Sequence, residues 1–253
     1  MDASTRAVIT AVLAALVAAT AFAQDLPPLA AYGRAPVVLA AGILALLIAL
    51  GWPLLLGLPN LVGSSAVIAL GGIGAVITVT ATRGQPFLRE LPVVVALGIL
   101  LCFVNELARQ DGRTRLVDSV AGSVTGVLIA TAAAGWVAAV RAPGGTGLVV
   151  SGAVALTVAA AVSAVPLGGM IGSAVTSGGA VVAGAAVGAV MPDVGIAAGA
   201  MLGLGTGILV SALHVMFDRM PALKSRLAAM TVIVLPVALG GILVYVVGRV
   251  LVG

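Results

Sequence analysis

PVVLAAGILALLIALGWPLLLG, residues 36–57, runs for 22 residues without one charged side chain. At about 1.5 Å per residue a helix of that length extends about 33 Å, enough to cross the hydrocarbon core of a bilayer. A strand would alternate polar and apolar positions, and this stretch does not, so it reads as a transmembrane helix.

Eight further stretches have the same character: 7–23, 64–82, 91–108, 119–140, 146–164, 168–190, 195–217 and 229–252. Each falls near the 17–25 residues a spanning helix needs. Breakers separate several of them: Leu26-Pro27-Pro28, Leu58-Pro59-Asn60, Pro143-Gly144-Gly145 and Met191-Pro192-Asp193. The expected fold is an all-α polytopic transmembrane bundle of about nine spans, a single integral membrane domain over 1–253 with short loops.

Composition supports this reading. Apolar residues make up 62% of the 253 and charged ones 8%, too few to cover a soluble surface. The formal charge of +4 is scattered along short loops, and the chain has only two Trp, two Tyr and four Phe, so nucleic acid is not an expected partner. Membrane lipids are, with a membrane protein partner or a second copy as further expectations. The single Cys102 allows no intrachain disulfide, and the single His excludes a multi-histidine metal site. Arg outnumbers Lys eleven to one in a chain dominated by Ala, Gly and Val, the pattern of a GC-rich bacterial genome.

Residues 1–23 allow two readings, because Arg6, an apolar run and Ala21-Phe22-Ala23 also resemble a secretory signal with its cleavage site. The run is nearly membrane-length, which favours a retained first helix; cleavage would leave eight spans. Orientation follows from basic loops, which stay in the cytoplasm. Arg109, Arg113 and Arg115 in one loop and Arg219, Lys224 and Arg226 in another are four spans apart, so one side holds both, together with Arg6. The expectation is a plasma-membrane protein with a cytoplasmic N-terminus. Arg83 and Arg89 then lie outside. Either Glu90 and the next helix start offset them, or 91–108 dips into the membrane and returns.

Small residues recur every fourth position in two consecutive spans: Gly168, Gly172, Thr176, Ala180, Gly184 and Gly188, then Gly195, Gly199, Gly203, Gly207 and Ser211. Residues four apart share a helical face, so Gly172, Gly184, Gly188, Gly199, Gly203 and Gly207 are expected to form packing ridges. Gly122, Gly126, Ala130 and Ala134 make a shorter one. Thr176-Ser177-Gly178-Gly179 is a point where a helix can unwind near mid-membrane, as in discontinuous transporter helices.

Two polar clusters are candidate sites. Asn105 and Glu106 end an apolar span, where an ionised carboxylate needs a partner, and Arg109 is one turn away. With Arg113 and Arg115 it can hold a phosphate or anionic lipid head group; the simpler reading is a positive-inside loop with an interfacial ion pair. In the second cluster His214 and Asp218 share a helical face and can form a titratable pair, or simply anchor a helix end. The pattern His214-x-x-x-Asp218-Arg219 resembles the H-G-G-x-x-D-R-x-D ending of CDP-diacylglycerol synthases over those residues alone. The Gly pair, the final acid and the family's upstream Lys-Asp and Ser-x-x-Lys-x-x-Glu-Gly elements are absent, so metal-dependent cytidylyl transfer is not expected. No nucleotide loop, zinc helix or nucleophile elbow is present, and no cofactor is expected. Three functions remain: a transporter or lipid-translocating permease, a non-catalytic subunit of a larger complex, and an enzyme acting on a lipid phosphate.

Overall fold

The computed structural model describes residues 2–252 apart from 25, 29, 113 and 219–224. Among them all regular structure is helical: α1 (Ala3–Ala23), α2 (Ala35–Leu56), α3 (Leu61–Ala81), α4 (Leu91–Leu107), α5 (Leu116–Ala132), α6 (Ala134–Arg141), α7 (Gly145–Ser163), α8 (Gly169–Val190), α9 (Gly195–Asp218) and α10 (Arg226–Leu251), with a 3-10 turn at Ala30–Tyr32. Eight are long and apolar enough to cross a membrane, with α5 and α6 counted as one run, Leu116–Arg141; α4 has 17 residues. The chain is a multi-pass membrane protein.

Helix ends follow local chemistry. Asp2, Asn60 and Ser225 cap α1, α3 and α10 by accepting from Thr5, Gly63 and Ala228 N–H groups. The α2 C-terminus closes on Gly57, whose φ of +61° only glycine adopts freely; Leu58 N–H then bonds to the Pro53 carbonyl at 2.9 Å and satisfies a group the helix cannot. The break between α5 and α6 falls at Ala133, where Ala133 donates to Ala130 and Trp136 to Ala133 in tight three-residue steps.

α10 stands at the centre. It packs on α2 and the α5–α6 run on one side and on α1, α7 and α9 on the other. α2, α3, α4 and α5 cluster on the first side, α1, α7, α8 and α9 on the second. Close approach at the centre depends on small residues: a Cβ on Gly135 would sit 2.2 Å from the Ile242 nitrogen. Trp136 fills the adjoining space, fully buried, with its indole N–H on the Val237 carbonyl at 2.8 Å. α8 is the least buried helix, and large apolar side chains such as Leu39, Leu70, Ile77, Leu100, Ile171 and Val182 face outward all round the bundle. That surface suits acyl chains, not water.

α4 settles how 91–108 lies. Its first residue follows the loop at the far end of α3, while Asn105, near its last, accepts from Asn60 Nδ2 at 3.0 Å at the near end of α3. α4 therefore runs antiparallel to α3 through its full depth, and 17 residues rise about 25 Å. No re-entrant turn exists there. Arg89, at the entry to α4, pairs with Glu90 at 3.1 Å. Counting α4, the helices traverse one layer nine times. The ends of α2, α4, α7 and α9 share the N-terminal face, as Arg115 on the Gly57 carbonyl, Ser4 on the Ala164 carbonyl and Arg6 beside Asp218 show. α1 is part of this bundle: its Ala7, Ala11, Ala14, Val17 and Ala21 are buried, and Thr10 donates to the Ile233 carbonyl of α10 at 2.9 Å.

Candidate functional site: a polar cavity on the N-terminal face

α9 ends in Ser211, His214, Phe217 and Asp218, a period that sets polar groups on the side facing α1, α7 and α8. Asp218 is shared: one carboxylate oxygen lies 3.2 Å from His214 Nε2, the other 3.9 Å from Arg6 Nη2 of α1. Carboxylate, imidazole and guanidinium thus converge from two helices 200 residues apart in sequence. Arg219, the third member of the sequence pattern, lies outside the described residues.

Beside this triad is a cavity of about 250 Å³. His214 and Asp218 form part of its wall, and the hydroxyl residues Ser4, Ser163, Ser173, Thr176 and Ser211 supply most of the remaining polar lining. A smaller recess on the other side of His214 adds Arg6 and Thr10. Several hydroxyls are half engaged: Ser211 donates to the Ser173 carbonyl at 3.3 Å, Ser163 to Ala160 at 2.8 Å and Ser4 to Ala164 at 3.1 Å. Each keeps oxygen lone pairs for a further donor, so the cavity can bind a small polar solute without bringing a buried charge of its own. Thr176 lies two turns inside α8, so the polar lining extends below the helix ends.

The wall formed by α8 and α9 is a hairpin held by contact of backbone on backbone. A Cβ on Gly184 would meet the Gly199 carbonyl oxygen at 2.2 Å, one on Gly188 the Gly195 oxygen at 2.3 Å, one on Gly203 the Ala180 oxygen at 2.2 Å, and one on Gly207 the Ser177 Cα at 2.6 Å. Gly172 is not in this seam. Its nearest neighbour is Leu167 Cβ at 3.6 Å, and it lines the cavity. α8 stays helical through Thr176-Ser177-Gly178-Gly179, so the four do not unwind.

The other cluster forms a closed knot. Arg109 donates to Glu106 Oε2 at 2.6 Å, to both oxygens of Asp111 at 2.6 and 3.1 Å, and to the Thr114 carbonyl at 3.1 Å; Ser119 of α5 donates to Glu106 Oε1. Glu106 and Arg109 side chains are almost fully buried. Asp111 first, and then Glu106, raise the pKa of the guanidinium against the cost of desolvation. Both Glu106 oxygens are engaged, which makes the knot a clamp between α4 and α5. Arg115, at φ +54°, turns outward to the Gly57 carbonyl and Asp118. Asn105 bonds to Asn60. Arg113 lies outside the described residues.

Sequence reasoning missed Arg6 as a partner of Asp218, and the hydroxyls as one wall, because no local spacing links helices that meet only in the fold. Among the described residues, no three of His, Cys, Asp and Glu converge as metal ligands. Comparison with known family models, curated proteins and solved structures finds no match to this chain.

Proposed function

We propose that this protein is a permease of the bacterial plasma membrane that takes a small polar solute into the cavity beside His214 and Asp218 from the cytoplasmic, N-terminal face. The observation that carries the reading is the cavity itself: a recess lined by hydroxyls and one shared ion cluster, bounded by a hairpin whose outer face carries no other helix. Backbone contact locks α8 to α9, so the pair can move as one body against α1 and α7 and change the exposure of the cavity. The paired His214 and Asp218 are the ionisable groups a solute would meet in the cavity wall.

Uptake by purified protein in liposomes tests this, with labelled amino acids, sugars and organic anions as solutes and a fluorescent phospholipid for flipping. The reading expects at least one solute to enter faster than into protein-free vesicles and His214→Ala to slow it several-fold. Wild-type protein that moves none of them ends the permease reading.

The bare face of α8 favours a second one, a non-catalytic subunit whose partner covers Met170, Ile171 and Val182. A stoichiometric partner retained through purification in mild detergent supports it, and a solitary chain opposes it.

A further inference from the structure

We propose that Arg34 and Arg141 form a binding site for a phosphate-type oxyanion on the face opposite the N-terminus. The site is distinct from the His214 cavity and does not rest on the permease reading. Both arginines line one open cavity of about 510 Å³, with Gln24 and Thr80 as further polar walls. No carboxylate lines it among the described residues. Two guanidinium groups facing one space without a counter-ion repel each other, most of all near the bilayer, and an oxyanion between them reverses that cost.

Arg141 is held in place for the task. It is the last residue of α6, and it closes the C-terminus of α3 by donating to the Val79, Thr80 and Thr82 carbonyls, the last at 2.6 Å. Its guanidinium carbon lies 4.5 Å from the centre of the Phe87 ring, whose backbone N–H is in turn tied to the Tyr245 hydroxyl at 3.1 Å. A guanidinium has five N–H donors; three are engaged, so two remain for a ligand. Arg34 is exposed and makes no ion pair with a described residue. It sits at the start of α2, where no side chain caps the helix, so the free N–H groups of that first turn add positive potential.

Val38 and Val137, about one turn below the rim, make the deeper wall apolar. A cationic rim over an apolar wall at the depth of a helix end fits a phosphodiester at the membrane interface, and the same fork geometry fits a free phosphate.

Detergent-solubilised protein is titrated with a short-chain phosphatidylglycerol, with inorganic phosphate, and with short-chain phosphatidylcholine and chloride as controls. Thermal shift or calorimetry reads the affinity. Arg34→Gln is the informative variant, because Arg141→Gln also removes the α3 cap. The proposal expects Arg34→Gln to bind at least about tenfold more weakly, with unfolding temperature without ligand unchanged. Loss for phosphatidylglycerol alone identifies a lipid head group, loss for phosphate alone a soluble anion, and loss for both a general oxyanion site. Equal affinity in wild type and Arg34→Gln overturns the proposal, as does wild-type binding no stronger than the controls. Asp25 lies outside the described residues and is tested in the same way: ligand bound by Asp25→Asn but not by wild type shows that Asp25 fills the site, and overturns it as well.

Discussion

Arg109 shows how much one residue carries here. With its head group buried between Glu106 and Asp111, Arg109→Met leaves the Glu106 carboxylate with only Ser119 in a place that water scarcely reaches. We expect a loss of about 3–5 kcal/mol, and a partial rescue by the double variant Glu106→Gln/Arg109→Met, which removes both charges. Thermal unfolding in one detergent measures both, and strictly additive losses would show that the two are not coupled. The Glu106–Arg109 contact is legible in sequence because three residues in a helix bring side chains together. Ser119, thirteen residues on, and Arg6, more than two hundred residues from Asp218, are not, since their meeting depends on which helices the fold sets side by side. Arg141 was equally hidden: a lone arginine at a span end reads as an interfacial anchor, and only the fold shows it closing α3.

At the scale of elements, the α8–α9 seam makes a sharper test than its glycine spacing alone would. Gly203→Ala places a methyl group against the Ala180 backbone, which has no flexible end to yield, so the helices must separate at a cost of about 1–3 kcal/mol. Gly178→Ala, where nothing lies within 4 Å, is expected to be neutral or to stabilise by up to about 1 kcal/mol through helix propensity. Equal effects in unfolding experiments would remove the seam as the basis of the hairpin. The four-residue ladder was readable from Gly188 to Ala180 on α8 and from Gly195 to Gly207 on α9; Gly172 shares the period yet lines the cavity, with Leu167 Cβ its nearest neighbour at 3.6 Å. The division of 119–140 at Ala133 carries no proline to announce it and follows from the approach of Gly135 to α10. Apolar length placed every span within a few residues, since lipid leaves the backbone no choice but helix.

For the whole molecule, sequence left open whether 91–108 is a span or a re-entrant loop. Hydropathy measures length and greasiness and is blind to which end of α3 the segment returns to; the Asn60–Asn105 bond supplies that information. Nine traverses set the described chain ends on opposite faces and divide the arginines between them. Of the described arginines, Arg6, Arg109, Arg115 and Arg226 lie on one face and Arg34, Arg83, Arg89, Arg141 and Arg249 on the other, where Arg89 is offset by Glu90 and Arg249 donates to Gln85 at 2.8 Å. The most direct test is labelling of single cysteines by a membrane-impermeant maleimide in intact cells, on a Cys102→Ala background. The account predicts that Arg83→Cys and Asp193→Cys label alike, and that Asp2→Cys, Thr114→Cys and Pro166→Cys show the opposite behaviour. Labelling of Arg83→Cys and Thr114→Cys from the same side would contradict it.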